Sequence, residues 1–192
     1  MAHLNTIIET ERLIIRVPTL ADLDAVQNAK EANWHELQKW MVWASDEQKP
    51  ISALKHYIEV ISAEDHAKGG LHLFAFHKNT GDFVMASGLI PEGEPHFYGT
   101  GYWGNINYLG QGYATEMMRA ILHYAFTKHK AVKINIAYYE GNEKSRRVID
   151  KCGFTFVQTL PKIHQSFATG EWLDEHQFGL TAETWKKQHD TI

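Results

Sequence analysis

Apolar positions along this chain fall first at strand spacing, then at helical spacing, then alternate between the two. In residues 11–17, ERLIIRV, the side chains of Leu13, Ile15 and Val17 share one face, as in a half-buried strand, and Pro18 ends it. Thr19 followed by Asp22 predicts a helix start, with Leu23, Val26 and Ala29 on one side. A second helical piece carries Trp34, Leu37, Trp40 and Met41. A third begins near Ser52, holds Leu54, Tyr57, Ile58 and Ile61 in phase, and stops at Gly69-Gly70.

The period then changes. LHLFAFH (71–77) and FVMASGLI (83–90) read as strands joined by the turn KNTGD, and Pro91 closes the second. A further strand lies near Phe97–Trp103. Next, Ala114, Met117, Met118, Ile121, Leu122, Ala125 and Phe126 make a sustained apolar stripe at i, i+3, i+4, i+7, i+8, i+11 and i+12. VKINIAYY (132–139) alternates as a strand. Asn142 caps a helix with Val148, Ile149 and Cys152 inside and Gly153 as its stop. Strands follow at 154–160 and 171–181, joined by a loop containing His164 and Gly170. This order predicts one α/β (α+β) domain over residues 1–192, with a mixed sheet of about six to seven strands and helices on both faces.

Composition removes several function classes. Apolar residues are 44% of 192, which suits a packed globule. No apolar run is long enough to cross a bilayer, and the start MAHLNTIIETERL lacks a secretory signal, so no membrane partner is expected. The single Cys152 cannot form an internal disulfide and suits a reducing cytoplasm. A net charge of −4 without a basic block argues against nucleic acid. The twelve histidines, among them His56, His66, His72, His77, His123 and His129, fall at no ligand spacing. No HExxH or CxxC occurs, so no metal is expected.

The chemistry concentrates at LGQGYA (109–114), where the long apolar stripe begins. The first turn of a helix has amides without carbonyl partners, and glycines let an anion approach them. Gly110 and Gly112 remove side chains, while Gln111 and Tyr113 still offer N–H groups. No P-loop pattern is present. A literal GxGxxG occurs at Gly99, Gly101 and Gly104, but inside a strand-like aromatic segment that opens no helix; it is read as a coincidence.

About thirty residues on, at 142–154, stands NEKSRRVIDKCGF. With this second motif the chain resembles the GNAT N-acetyltransferase superfamily, its RimJ/RimL-like branch in particular. The family loop is matched by Leu109, Gly110, Gln111, Gly112, Tyr113 and Ala114, extended by Thr115 and Glu116. The Asn-x-x-Ser motif is matched by Asn142 and Ser145, with Val148, Ile149, Gly153 and Phe154 following. ERLIIR, LQKWMVW and GEWLDEHQFGLTAETW are lesser matches that extend the resemblance over nearly the whole chain.

The resemblance implies the acyl-CoA N-acyltransferase fold, acetyl-CoA as donor and a primary amine as acceptor, either a protein N-terminus or a small molecule. It admits a monomer or a homodimer. It places Leu109 to Thr115, Asn142 and Ser145 at the coenzyme, Ser145 near the thiol, and Trp40, Trp43 and Tyr102 at the acceptor, with Trp34 and Met41 in the same helical region. A gapless count from Ser145 puts His164 where the branch carries its base; Glu171, Asp174 or a water relay near Tyr138 or Tyr139 are the alternatives. Three departures stand out. Leu109 replaces a Gln or Arg, residues 97–103 contain no acid, and Ile149 occupies the slot of a common tyrosine acid. They leave a second reading open, a non-catalytic acyl-CoA-binding module of the same fold.

Overall fold

In the computed structural model, residues 6–189 are described; the first five residues, part of the stretch read for a leader, lie outside them. The strands are β1 (Ile7–Glu9), β2 (Leu13–Arg16), β3 (Leu71–His77), β4 (Phe83–Pro91), β5 (Phe97–Thr100), β6 (Tyr102–Gly104), β7 (Lys133–Tyr139), β8 (Thr155–Gln165) and β9 (Trp172–Thr181). They form one sheet in the order β1-β2-β3-β4-β5-β7-β9-β8, with β6 paired to β4. The sheet therefore has nine strands, somewhat more than the expected six to seven. The extra ones are short: β1, and the division of one expected strand into β5 and β6.

Helices cover both faces. α5 (Tyr113–Thr127) and α6 (Glu143–Lys151) lie on one side, where Leu13, Leu71, Leu73, Val84, Met117, Met118, Ile121, Leu122 and Ile134 make the main core. The α5 stripe read from sequence is buried apart from Ala114, which is half-buried. α1 (Leu23–Ala32), α2 (Trp34–Trp40), α3 (Ile51–His56) and α4 (Ser62–Ala67) belong to the other side, where Val26, Ala29 and Leu54 meet Phe74, Phe76 and Phe83. Alternation along β3 divides its side chains: Leu71, Leu73 and Ala75 enter the first core, Phe74 and Phe76 the second. A terminal helix, α7 (Ala182–His189), adds Trp185 to the main core.

The third helical piece is not uniform. Between α3 and α4 the chain makes a π-turn, Tyr57–Ile61, a wider coil that turns side chains out of the α-helical phase. The last strand pair also departs from expectation. β8 runs to Gln165, so His164 lies on a strand opposite Leu173 and not in a loop. The pairing shifts register between Leu160 and His164, with Lys162 at φ 50°.

Where α1 begins, Arg16 Nη1 and Nη2 donate to the two Asp22 carboxylate oxygens at 2.8 and 2.7 Å, and Asp22 accepts the Thr19 N–H at 2.7 Å. Burial alone would raise the Asp22 pKa, but Arg16 and Thr19 outweigh it and hold the carboxyl below its ordinary value of 3.8. Because the folded pKa is depressed, the stabilisation is complete above the unfolded value and is lost as pH falls through the folded one. Asp22→Asn is expected to cost about 2 kcal/mol, the scale of hydrogen bonds to charged groups. Thermal melts should show the deficit near neutral pH and show it shrinking below about pH 4.

Candidate active site

The sheet opens at one place. β5 runs parallel to β7 from Phe97–Lys133 to Thr100–Ile136. Beyond Gly101 the chain, as β6, pairs only with β4, while β7 continues along β9. The two strands diverge, and a cavity of about 850 Å³ occupies the gap. Its walls include Thr100, Gly101 and Tyr102 on one strand and Ile136 to Tyr139 on the other. Asn142, Ser145 and Phe167 line it too, as do Trp40, Met41, Trp43, Tyr57 and His72 from the opposite side of the sheet.

The glycine turn precedes α5. Gly110 and Gly112 have φ of 76° and 87°, and Gly112 is the N-cap. A residue with a Cβ is strained in this left-handed region, so glycine is required by the turn itself. Glu116 N–H donates to Gly112 O at 3.1 Å; the amides before it have no carbonyl within the helix. Leu109 to Gly112 are exposed, Ala114 and Thr115 half-buried. The Tyr113 side chain is buried under the Arg12 guanidinium, 3.9 Å from its ring centre, so Tyr113 offers this turn only its backbone.

Arg12 braces the turn. Its Nη1 donates to Gln111 O at 3.1 Å, and its Nε and Nη2 approach Glu116 Oε2 at 2.7 and 2.6 Å. Burial works to raise the Glu116 pKa, but bonds from Thr10 and Arg12 hold the carboxyl below its ordinary range. Arg12 was visible in sequence only as part of ERLIIR. Its partner lies 104 residues away.

At the far end of the gap, Asn142 Oδ1 accepts the Ser145 N–H at 3.2 Å and caps α6. Ser145 Oγ lies 3.0 Å from the Tyr102 hydroxyl, which reaches across from β6. Burial drives the Tyr102 pKa up to about 12, against the opposing effect of its Ser145 bond, so the phenol keeps its proton. Ile149 is wholly buried and belongs to the core.

Trp40 and Trp43 line the cavity, whereas Trp34 is buried beside Leu37 and Ala44. Trp43 also packs on Trp103, ring centres 6.0 Å apart. His164 does not line the cavity. Its ring packs at a tilt on Tyr139, centres 4.5 Å apart, and meets Phe167 edge-on at 6.2 Å, and both of those side chains do. Burial depresses the His164 pKa, with Glu175 acting weakly the other way, and its Nε2 has no hydrogen-bond partner among the described residues. Asp174 Oδ1 is occupied by Lys162 N–H at 2.9 Å, Glu171 is exposed, and neither lines the cavity. Among the described residues no group of three or more His, Cys, Asp or Glu could hold a metal ion, and no helix is long and apolar enough to cross a membrane.

The model of the acetyltransferase (GNAT) domain matches residues 12–155, from the first long strand through both motifs. The chain belongs to the GNAT acetyltransferase family. As a GNAT protein it is an acyltransferase. It is 27% identical over 196 residues to YnaD of Bacillus subtilis, an uncharacterized N-acetyltransferase, covering 93% of this chain and 98% of YnaD. In fold it is similar to the ribosomal-protein-S5-alanine acetyltransferase of Vibrio fischeri, with a TM-score of 0.84 at 20% identity over 95% of this chain and 100% of that one. Mycobacterium smegmatis RimJ, solved with a coenzyme A disulfide, has a TM-score of 0.79 at 22% identity, over 89% of this chain and 82% of RimJ. In this GNAT chain the literal GxGxxG is part of the sheet: Gly99 ends up in β5 and Gly104 in β6, and α5 starts nine residues later.

Proposed function

We propose that this chain is a single-domain N-acetyltransferase, spanning residues 1–192, that moves the acetyl group of acetyl-CoA to a primary amine in the cytoplasm. The observation that carries the reading is the glycine turn at the start of α5 together with a strand gap that holds the Ser145–Tyr102 pair. Amides from Gly110 to Thr115 receive the diphosphate, helped by the partial positive charge of the α5 N-terminus. The pantetheine arm lies in the gap between β6 and β7, where strand edges offer unpaired backbone groups. Asn142 holds the first turn of α6 so that Ser145 faces the thioester sulfur.

The amine attacks the carbonyl carbon, the carbon–sulfur bond breaks, and the sulfur departs with the bonding electrons. The Tyr102 O–H donates a hydrogen bond to Ser145 Oγ, which leaves the serine hydrogen free to bond the departing thiolate, and the proton that the nitrogen sheds as the amide forms ends on that sulfur to give the free thiol. The acceptor enters from the side of Trp40 and Trp43, as a protein N-terminus or a small amine of limited width. Holding both reactants in line supplies much of the rate, since orientation is worth roughly 7–11 kcal/mol in favourable cases.

The test is free-thiol release from acetyl-CoA with a panel of amines: peptides beginning with Ala or Ser, amino acids and a polyamine. At least one amine should raise release well above background. Ser145→Ala and Tyr102→Phe should each lower kcat about tenfold, and the double variant should be little worse than either, because the two hydroxyls act as a unit. Thiol release that no amine increases would favour the second reading, an acyl-CoA-binding module, for which the absence of an acid on β5 and β6 speaks.

A further inference from the structure

We propose that Asp65, His72 and Tyr57 form the proton-accepting relay that strips the acceptor amine, with Tyr57 as the group that touches it. This rests on the acetyltransferase reading and names the base for that same cavity. The Tyr57 hydroxyl is hydrogen-bonded to His72 Nδ1, and His72 Nε2 lies 2.8 Å from Asp65 Oδ2. A carboxylate only accepts, so Nε2 carries the hydrogen and Nδ1 is left to take the Tyr57 proton. The His72 N–H donates to His66 Nε2 at 3.1 Å, which further fixes the strand against α4. Tyr57 opens the π-turn and stacks on Phe74.

Two features point this chain of groups at the reaction. Tyr57 and His72 line the same cavity as Ser145 and Tyr102. Two glycines, Gly88 and Gly101, lie on the path between them. His72 pairs with Gly88 on β4, and Gly101 falls opposite Gly88, between the pairs Ile90–Gly99 and Ser87–Tyr102. A Cβ on Gly101 would meet nothing within 4 Å. Paired positions share a face of a sheet, so a bare backbone trough leads from His72 to the strand gap. This gives the literal glycine pattern of the sequence a use unrelated to nucleotides.

The step balances. An N–H bond of the ammonium breaks, its proton passes to Tyr57 Oη, and the Tyr57 proton passes to His72 Nδ1. His72 becomes an imidazolium beside Asp65, and the nitrogen keeps its electron pair for attack. Burial lowers the His72 pKa against the raising effect of Asp65, so the ring is neutral and able to accept at neutral pH. Burial, then Asp65, raises that of Tyr57, so the phenol transmits a proton without staying ionised. Other titratable groups near the relay are His66, which accepts the His72 N–H, and, lining the same cavity, Lys30, Tyr102, Tyr138 and Tyr139. Lys30 lines the cavity, donates to Gln48 O at 3.0 Å, and is lowered to about 8 by burial, with Glu31 opposing.

The experiment compares wild type with Tyr57→Phe, His72→Gln and His164→Ala. Each is assayed with acetyl-CoA and the best acceptor of the amine panel, and separately with hydroxylamine, which is uncharged at neutral pH. Tyr57→Phe should lower kcat for the panel amine about 100-fold, leave the KM for acetyl-CoA in place, and recover as pH rises. With hydroxylamine the loss should shrink to a few-fold. Wild-type activity should fall only as pH drops below the ordinary histidine range, and Lys30→Met should keep that acidic limb. Melting curves check that Tyr57→Phe, which loses one oxygen, is folded as expected. Full activity of Tyr57→Phe, an equal loss with both acceptors, or a large loss confined to His164→Ala would overturn the relay with the acetyltransferase reading intact. Wild type that acetylates no amine overturns the reading itself, and the relay with it.

Discussion

Gly112→Val should raise the acetyl-CoA KM by about 100-fold and lower the melting temperature by several degrees. Gly112 sits at φ 87° as the N-cap of α5. Forcing a branched side chain into left-handed backbone costs roughly 1–2 kcal/mol, and its Cβ would lie 3.5 Å from Arg12 Nη2. Relieving that strain would rotate the turn and swing the amides of Gly112 and Tyr113 away from the proposed diphosphate position. Hydrogen bonds to a charged partner are worth about 1.5–3 kcal/mol each, so losing one or two gives the stated factor. Titration calorimetry with coenzyme A separates binding from chemistry. Wild-type affinity in a folded Gly112→Val protein would remove the glycine turn from the coenzyme site, and with it the main support for acetyl-CoA as donor.

Arg12 sharpens this expectation. It is tied to Gln111 O on one side of Gly112 and to Glu116 on the other, so the turn cannot shift without breaking a charged pair. The guanidinium beside the turn is already balanced by Glu116, so under the proposed function selectivity for the diphosphate would rest on amide geometry more than on charge.

What was legible in the sequence was what is local. The α5 stripe and the Asn142 cap depend on spacings of three and four residues, and each stands as read. Gly110 and Gly112 were legible because their backbone conformation excludes most alternatives. The Tyr57–His72–Asp65 chain was not. It joins residues from a π-turn, a strand and α4, and the π-turn breaks the helical phase used to assign Tyr57 to an inner face. One trace was there: His72 is the only polar residue from Leu71 to Phe76. The position of His164 came from counting without gaps. The register shift between Leu160 and His164 makes such a count unreliable, because extra residues in one strand leave the partner strand in place. β1 and α7 were missed for a simpler reason. A three-residue edge strand and an eight-residue terminal helix have too few apolar positions to show a period.

Gly101→Val is expected to divide the two halves of the reaction. Gly101 stands where β5 gives way to β6 at the strand gap, and it lines the cavity. Its backbone is not in the left-handed region and a Cβ there meets no atom within 4 Å, so valine enters without strain or clash. Strand interiors favour β-branched residues over glycine, so stability should hold or rise slightly. The added methyl groups stand in the trough that leads from His72 past Gly88, on the face from which the acceptor comes. The glycine turn lies outside the cavity walls and is untouched, so coenzyme A affinity should stay within a few-fold of wild type. Acceptor kcat/KM should fall by about 10- to 100-fold, since displacing an amine by even 1 Å from a near-attack position costs about that much. Bulky acceptors such as peptides should suffer more than hydroxylamine, because only they must fill the trough. A Gly101→Val enzyme that acetylates peptides as fast as wild type would show that acceptors reach the thioester by another route, and that the row of glycines serves only the pairing of β4 with its neighbours.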